Sequence, residues 1–135
     1  MADTQGAQRE LGGSNILNAV SNAMVSLHKE QFGRGPTRAR SNFAGSDTLV
    51  CLLEDALLPA EHAMVQMGDK QRVIESRSYL QTATTTEFVE TIEELVHRKV
   101  RAFASAVDPE ANVVWEIFTF EAIDVSGDGH GPVTT

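Results

Sequence analysis

The segment from His28 to Arg40 has the residue types and spacing of an anion-binding loop. It reads HKEQFGRGPTRAR, in which four basic residues stand against the single acid Glu30. Arginine guanidinium groups donate forked hydrogen bonds to carboxylates and phosphates. Gly33 and Gly35 permit backbone conformations in which successive N–H groups point at one anion. We therefore predict a site for an anionic small molecule with these ligand contacts: His28, Lys29, Gly33, Arg34, Gly35, Thr37, Arg38 and Arg40.

The same segment also fits a purely structural role. Cationic side chains near a helix C-terminus interact favourably with the helix dipole, and charges on an edge strand discourage pairing with other chains. The GxxxxGK[ST] pattern of nucleotide-triphosphate-binding loops does not occur. The arginines therefore either pair with carboxylates of the chain itself or hold a bound anion, and the sequence leaves both alternatives open.

No catalytic or metal-binding residues are predicted, and neither is a cofactor. Cys51 lies within an apolar run, where a buried and unreactive thiol is expected. The histidines His28, His62 and His97 lack the HxxxH or HExxH spacing of a local metal site. A non-enzymatic binding domain is the favoured interpretation. The alternative is a small enzyme that acts on an anionic metabolite such as a nucleotide, a folate or a carboxylate.

The charge balance of the whole chain excludes a general attraction to polyanions. The 135 residues include 19 acidic and 11 basic side chains, which gives a net charge of −8. Nucleic-acid binding is not expected, because it depends on neutralising phosphates. No apolar run approaches the ~20 residues of a membrane-spanning helix, and the first residues lack the basic and apolar regions of a signal peptide. A single cysteine fits a reducing compartment, so we expect a cytoplasmic protein.

A predicted helix and a predicted hairpin position the basic segment between them. Ser14 or Asn15 can cap the helix, which ends at Gly33. The hairpin consists of strands at 38–43 and 48–53 around a Gly-Ser-Asp turn. The apolar residues of one helix face recur every three or four positions: Leu17, Val20, Met24 and Leu27.

Two helices and a second hairpin follow. A short helix begins at Pro59, where the missing N–H costs nothing. Asp69 can cap a long helix, in which the threonines at 84–86 favour a kink or break. The last strands, KVRAFASAV and VVWEIFTF, flank a turn at 108–112. In the first of these strands, alternation predicts four residues on one face: Val100, Ala102, Ala104 and Ala106.

Together these elements predict a single α+β domain. Their order is α-β-β-α-α-β-β, with an antiparallel sheet and helices packed mainly on one face. The predicted domain covers residues 14–124. A disordered lead at 1–13 and a flexible tail at 125–135 flank it, because both segments are polar and contain glycine.

The last strand is apolar on both of its faces. Val113, Trp115 and Ile117 alternate with an equally apolar set that includes Phe118 and Phe120. A sheet covered on one side by helices normally has a polar outer face. Either this strand is buried on both sides within the domain, or a second copy of the chain covers it. We predict a homodimer.

Three segments of the chain resemble a known family: SNAMVSLHKEQFGRGPTRAR, DTLVCLLEDALLPAE and VHRKVRAF. The residues that carry the resemblance are Gly33, Gly35, Pro36, Thr37, Leu53, Glu54, Leu58, Pro59 and Glu61, after a helix that ends in His-Lys-Glu. From about Ser14 to Phe120, the chain is similar to MpsC, a small bacterial domain that takes its name from a Na+-translocating membrane potential-generating system. The resemblance implies a membrane-protein partner and supplies no catalytic residues.

Overall fold

The computed structural model describes the backbone of residues 4–123 and the side chains of residues 15–123. Within that range the predicted order and the α+β class are confirmed. The helices are α1 (Thr4–Phe32), α2 (Pro59–Gln66) and α3 (Lys70–Val96). The strands are β1 (Arg38–Phe43), β2 (Thr48–Glu54), β3 (Val100–Asp108) and β4 (Val113–Phe120). The segment predicted as a flexible tail lies outside the described residues.

The first helix begins earlier than its predicted cap. Ser14 and Asn15 lie inside α1, which begins at Thr4. No proline interrupts residues 4–13, and a helix that has already formed gains one hydrogen bond for each residue it adds. The helix ends where the sequence predicts, at Gly33. Gly33 follows α1 with a φ of 86°, and its amide donates to the carbonyl oxygen of Lys29 at 2.8 Å.

The four strands form one antiparallel sheet in the order β1-β2-β4-β3. Helices α1 and α3 contact the sheet, and α2 packs against α3. The core lies between these two helices and one face of the sheet, as the sequence predicted. Its fully buried side chains include Val20, Met24, Leu49, Leu53, Val73, Ile92, Phe118 and Phe120.

Helix α3 passes through its threonines without the expected break. The hydroxyls of Thr84 and Thr85 donate to the carbonyls of Leu80 and Gln81, one turn earlier, at 3.3 and 2.7 Å. Their polar groups are therefore satisfied inside the helix. Burial of the next turns against the core outweighs the weak helix propensity of threonine.

An irregularity near the start of β3 moves Val100 away from the face that the alanines share. Val100 pairs with Phe120, whereas Ala102 pairs with Thr119. One extra residue on β3 reverses the alternation of side chains. Val100 therefore packs against the core, and the prediction that it shares a face with the alanines is wrong.

Cys51 is expected to resist thiol reagents in the native protein. Its side chain is fully buried, and burial raises the pKa of the thiol to about 11. The thiolate is the reactive form, so an aromatic disulfide reagent at pH 8 should label urea-unfolded protein but not native protein. Labelling of native protein as fast as unfolded protein would contradict this expectation.

Candidate functional site

The loop between α1 and β1 holds four of the eight predicted anion contacts, and its Arg34 is hydrogen-bonded within the protein. Its Nη1 donates to the carbonyl oxygens of Asp55 and Leu57 at 3.1 and 2.8 Å, and its Nη2 donates to the Asp55 carboxylate at 3.3 Å. The side-chain amide of Asn112 donates to the same carboxylate at 3.2 Å. The neighbouring Thr37 is the largest cause of a lowered pKa at Asp55, and Asn112 and Arg34 add to it. The loop therefore fixes the turn that follows β2.

The basic residues that surround Arg34 are more exposed. Arg38 pairs with Glu54 at 3.2 Å, although the Arg38 side chain is 76% exposed. Lys29 and Arg40 are exposed and have no ion-pair partner among residues 15–123. An anion site at this loop stays a prediction, with Lys29 and Arg40 as the basic side chains still available for it.

The two glycines of the loop allow the chain to reverse beside α1. Gly33 has the left-handed backbone conformation that glycine adopts without strain. Gly35 lies so close to the helix that a β-carbon there would stand 3.0 Å from the carbonyl oxygen of Val25. Both positions therefore have a structural reason to be glycine.

His28 lies in the interior and forms a buried pair with Glu116 of β4. Its Nε2 donates to Oε2 of Glu116 at 2.7 Å, and the two side chains are 4% and 3% exposed. The imidazole ring lies 5.7 Å, centroid to centroid, from each of Phe32 and Phe88. A charged side chain at this depth requires such a partner, since burial without one is costly.

A second buried ion pair joins Arg77 of α3 to Glu61 of α2. Nε and Nη2 of Arg77 donate to the two carboxylate oxygens of Glu61 at 2.8 and 2.6 Å. The Nη2 group also donates to the carbonyl oxygen of Ala56. The guanidinium carbon lies 4.0 Å from the ring centroid of Phe32, which is a cation–π contact. This geometry leaves Nη1 of Arg77 unused.

His28, Arg77 and Glu116 line one cavity of about 70 Å³ between α1, α3, β3 and β4. Ser78 of α3 also lines it and is exposed, and Ser105 of β3 is half-buried, so the cavity opens to solvent between α3 and β3. Further polar side chains in its wall are Gln31, Gln81 and Thr84.

Three buried polar atoms of this cavity's side chains have no hydrogen-bond partner among the described residues. They are Nδ1 of His28, Nη1 of Arg77 and Oε1 of Glu116. An unsatisfied buried polar atom costs about 1–3 kcal/mol. A polar cavity of this size holds several waters or a molecule of a few heavy atoms. Among the described residues, no group of three or more His, Cys, Asp or Glu side chains is placed to hold a metal ion.

Of the predicted contacts, only His28 lines this cavity; sequence reasoning missed Glu116 and Arg77. The sequence contains a signal for the burial of each residue. Glu116 is the one charged residue of strand VVWEIFTF and falls on its inward face, between Val114 and Phe118. Arg77 stands four residues after the buried Val73, which places it on the core face of the helix. A charge that interrupts an apolar period marks a buried polar site.

The comparisons with known proteins give one significant finding. The family model described as "Na+-translocating membrane potential-generating system (MpsC)" matches residues 14–122. No significant match was found among curated proteins or among solved structures. No helix within the described part of the chain is long and apolar enough to cross a membrane.

Proposed function

Because this chain belongs to the MpsC family, we propose that it is a cytoplasmic, non-enzymatic accessory domain that captures a small anionic molecule and serves a membrane protein. The family description names a Na+-translocating system that generates a membrane potential. In this proposal the translocation belongs to the membrane partner. The domain supplies a binding site whose occupancy the partner can sense, and it acts as a homodimer.

One observation carries the binding proposal: unpartnered atoms of His28, Arg77 and Glu116 belong to side chains that line one cavity. Arg77 supplies N–H donors, which suit a carboxylate. His28 donates from Nδ1 when its ring carries a proton on both nitrogens. Water molecules satisfy the same atoms in the alternative, so the experiment must separate a ligand site from a hydrated cavity.

The donors and acceptors of the cavity favour a small carboxylate that also carries a hydroxyl or amino group. The carboxylate accepts from Arg77 and His28, and the second group donates to Oε1 of Glu116. A simple carboxylate lacks that donor and leaves Oε1 facing a like charge, which is unfavourable. Hydroxy acids and amino acids of a few heavy atoms also match the cavity of about 70 Å³.

Thermal unfolding with glycolate tests this proposal, with acetate, acetamide and sodium chloride at equal ionic strength as comparisons. Binding to the native state alone stabilises it by about 2.7 kcal/mol when the ligand is at a hundred times its Kd. We expect glycolate to raise Tm by several degrees, acetate to raise it less, and the other two to leave it unchanged. Stabilisation by acetamide and not by glycolate would overturn the anionic class.

Two variants and a matched control locate the glycolate site. His28→Gln keeps a donor toward Glu116 but removes Nδ1. Arg77→Lys keeps the positive charge beside Glu61 but removes the forked N–H donors of the guanidinium group. Both should abolish the glycolate shift. Arg38→Gln with Arg40→Gln should preserve it. If only this double variant loses the shift, the anion binds at the loop instead. If no probe stabilises the wild type, the cavity holds water and the proposal fails.

A second candidate function is catalysis in the same cavity, and the His28–Glu116 pair favours it. A histidine oriented by a carboxylate is a common general base, and Arg77 could stabilise an anionic intermediate. Turnover of a small carboxylate substrate that disappears in His28→Gln but persists in the Arg38/Arg40 double variant would support an enzyme. Glycolate that remains unchanged during prolonged incubation, while it still stabilises the fold, favours capture.

A further inference from the structure

The face of the sheet opposite α1 and α3 presents a connected apolar surface. The strand register places its residues in three rows, each from β1 through β2 and β4 to β3. The rows are Arg38–Glu54–Val113–Asp108, Arg40–Leu52–Trp115–Ala106 and Asn42–Val50–Ile117–Ala104. None of these residues belongs to the core cluster of the described chain, and the large apolar members in the middle columns are only partly buried.

Charge and side-chain size are distributed unevenly across this face. The β1 edge carries Arg38 and Arg40, both exposed, and Glu54 of the neighbouring β2 pairs with Arg38 at 3.2 Å. The β3 edge carries the exposed acid Asp108 beside two exposed alanines. The middle columns hold the bulky side chains, including Trp115. The β1 side of the face therefore has long side chains and one net positive charge, whereas the β3 edge has small side chains and one negative charge.

We propose that this face binds the same face of a second copy, about a two-fold axis parallel to the strands. The inference rests on the homodimer proposed above and specifies its surface and symmetry. A two-fold axis in this direction reverses the order of the strands and preserves the rows. It places β1 of one copy over β3 of the other, and β2 over β4.

The parallel axis makes the two faces complementary. Arg38 of one copy lies over Asp108 of the other, where opposite charges attract. The aliphatic stem of Arg40 lies over Ala106, so a long side chain covers a small one. Trp115 lies over Leu52 at the centre of the interface, the usual position of the residues that contribute most to binding.

A two-fold axis across the strands fails on charge. It places β1 over β1, so the exposed basic groups of Arg38 and Arg40 from both copies meet at one edge. Asp108 then lies far from them, at the opposite edge. Like charges brought together in an interface cost affinity and suppress the wrong arrangement. Charge complementarity therefore selects the axis parallel to the strands.

Cysteine cross-linking tests the symmetry directly. Arg38→Cys and Asp108→Cys are combined in one chain and treated with a short bis-maleimide reagent. Within one chain the two positions are separated by three strand spacings, each of ~4.8 Å, so only a second copy brings them close. Cys51 is fully buried and does not compete. We expect a covalent dimer from the double variant and none from either single variant.

The oligomeric state supplies the second readout. Light scattering after size exclusion should give a dimer for the wild type, and Trp115→Glu should weaken its association at least about tenfold while the far-ultraviolet spectrum stays unchanged. A cross-link in Arg40→Cys alone, at the middle row where β1 faces β1, would establish the axis across the strands and overturn the proposal. A dimer unaffected by Trp115→Glu would place the interface elsewhere, and a monomer at all concentrations would refute the homodimer itself.

Discussion

Replacing Glu61 by glutamine is expected to lower the free energy of unfolding by about 3–5 kcal/mol, the cost of breaking a buried ion pair from one side. The Arg77 side chain is 7% exposed and its partner 8%. Arginine stays charged in proteins, so it cannot escape the loss of its partner by releasing a proton. The amide of glutamine preserves the shape of the side chain and one acceptor but removes the compensating charge.

An exposed ion pair supplies the matched control for this measurement. Lys70 and Glu110 pair at 3.2 Å with side chains that are 53% and 65% exposed. Pairs of this kind contribute about 0.2–1 kcal/mol, so Glu110→Gln should change the urea midpoint only slightly. If Glu61→Gln and Glu110→Gln lower the free energy of unfolding equally, burial does not increase the contribution of Glu61 to stability.

The same pair makes the stability of the domain sensitive to acid. Burial alone would raise the pKa of Glu61, but the hydrogen bonds from Arg77 and from the Leu58 amide lower it below its ordinary value. A carboxyl whose pKa is lower in the folded state contributes stability above its unfolded pKa, and this contribution is lost as the pH falls. The difference between wild type and Glu61→Gln should therefore shrink below about pH 4.

The elements of this fold could be predicted because their signals are local. The strand predicted at 38–43 has those bounds in the structure, and the following strand differs from its prediction by one residue, Glu54. The hydrophobic period of a helix or strand, the glycine that ends a helix and the proline that begins one can each be recognised within a few residues. The irregularity that moves Val100 is different, because it depends on the register with β4, and a single strand carries no information about its partner.

The cavity could not be predicted, because long-range packing assembles it. His28 and Glu116 are 88 residues apart in sequence, and they meet only when α1 packs against the sheet. The composition of the basic loop predicts an anion site, yet Arg34 already donates hydrogen bonds to the turn after β2. Composition identifies residues that can bind an anion, whereas the fold decides which of them already have partners.

The buried pair of His28 and Glu116 should reduce stability relative to an apolar pair of similar size. His28→Leu alone leaves a buried carboxylate without its partner and is expected to cost about 3–5 kcal/mol. Glu116→Leu alone leaves a neutral imidazole with unpaired nitrogens, at about 1–3 kcal/mol. The double replacement removes both polar groups, so it should unfold at a higher urea concentration than His28→Leu.

A double-mutant cycle in urea measures the coupling between His28 and Glu116. Glycolate binding measures whether the pair is needed to hold a ligand. We expect the double variant to be at least as stable as the wild type and to show no glycolate shift in thermal unfolding. A double variant that is clearly less stable than the wild type would show that the pair stabilises the fold more than an apolar pair does, and losses that simply add would show that the two side chains are not coupled. Recovered stability without binding would show instead that the protein keeps two polar groups in its core, at a cost to its stability, because the cavity between α1, α3 and the sheet must hold a ligand.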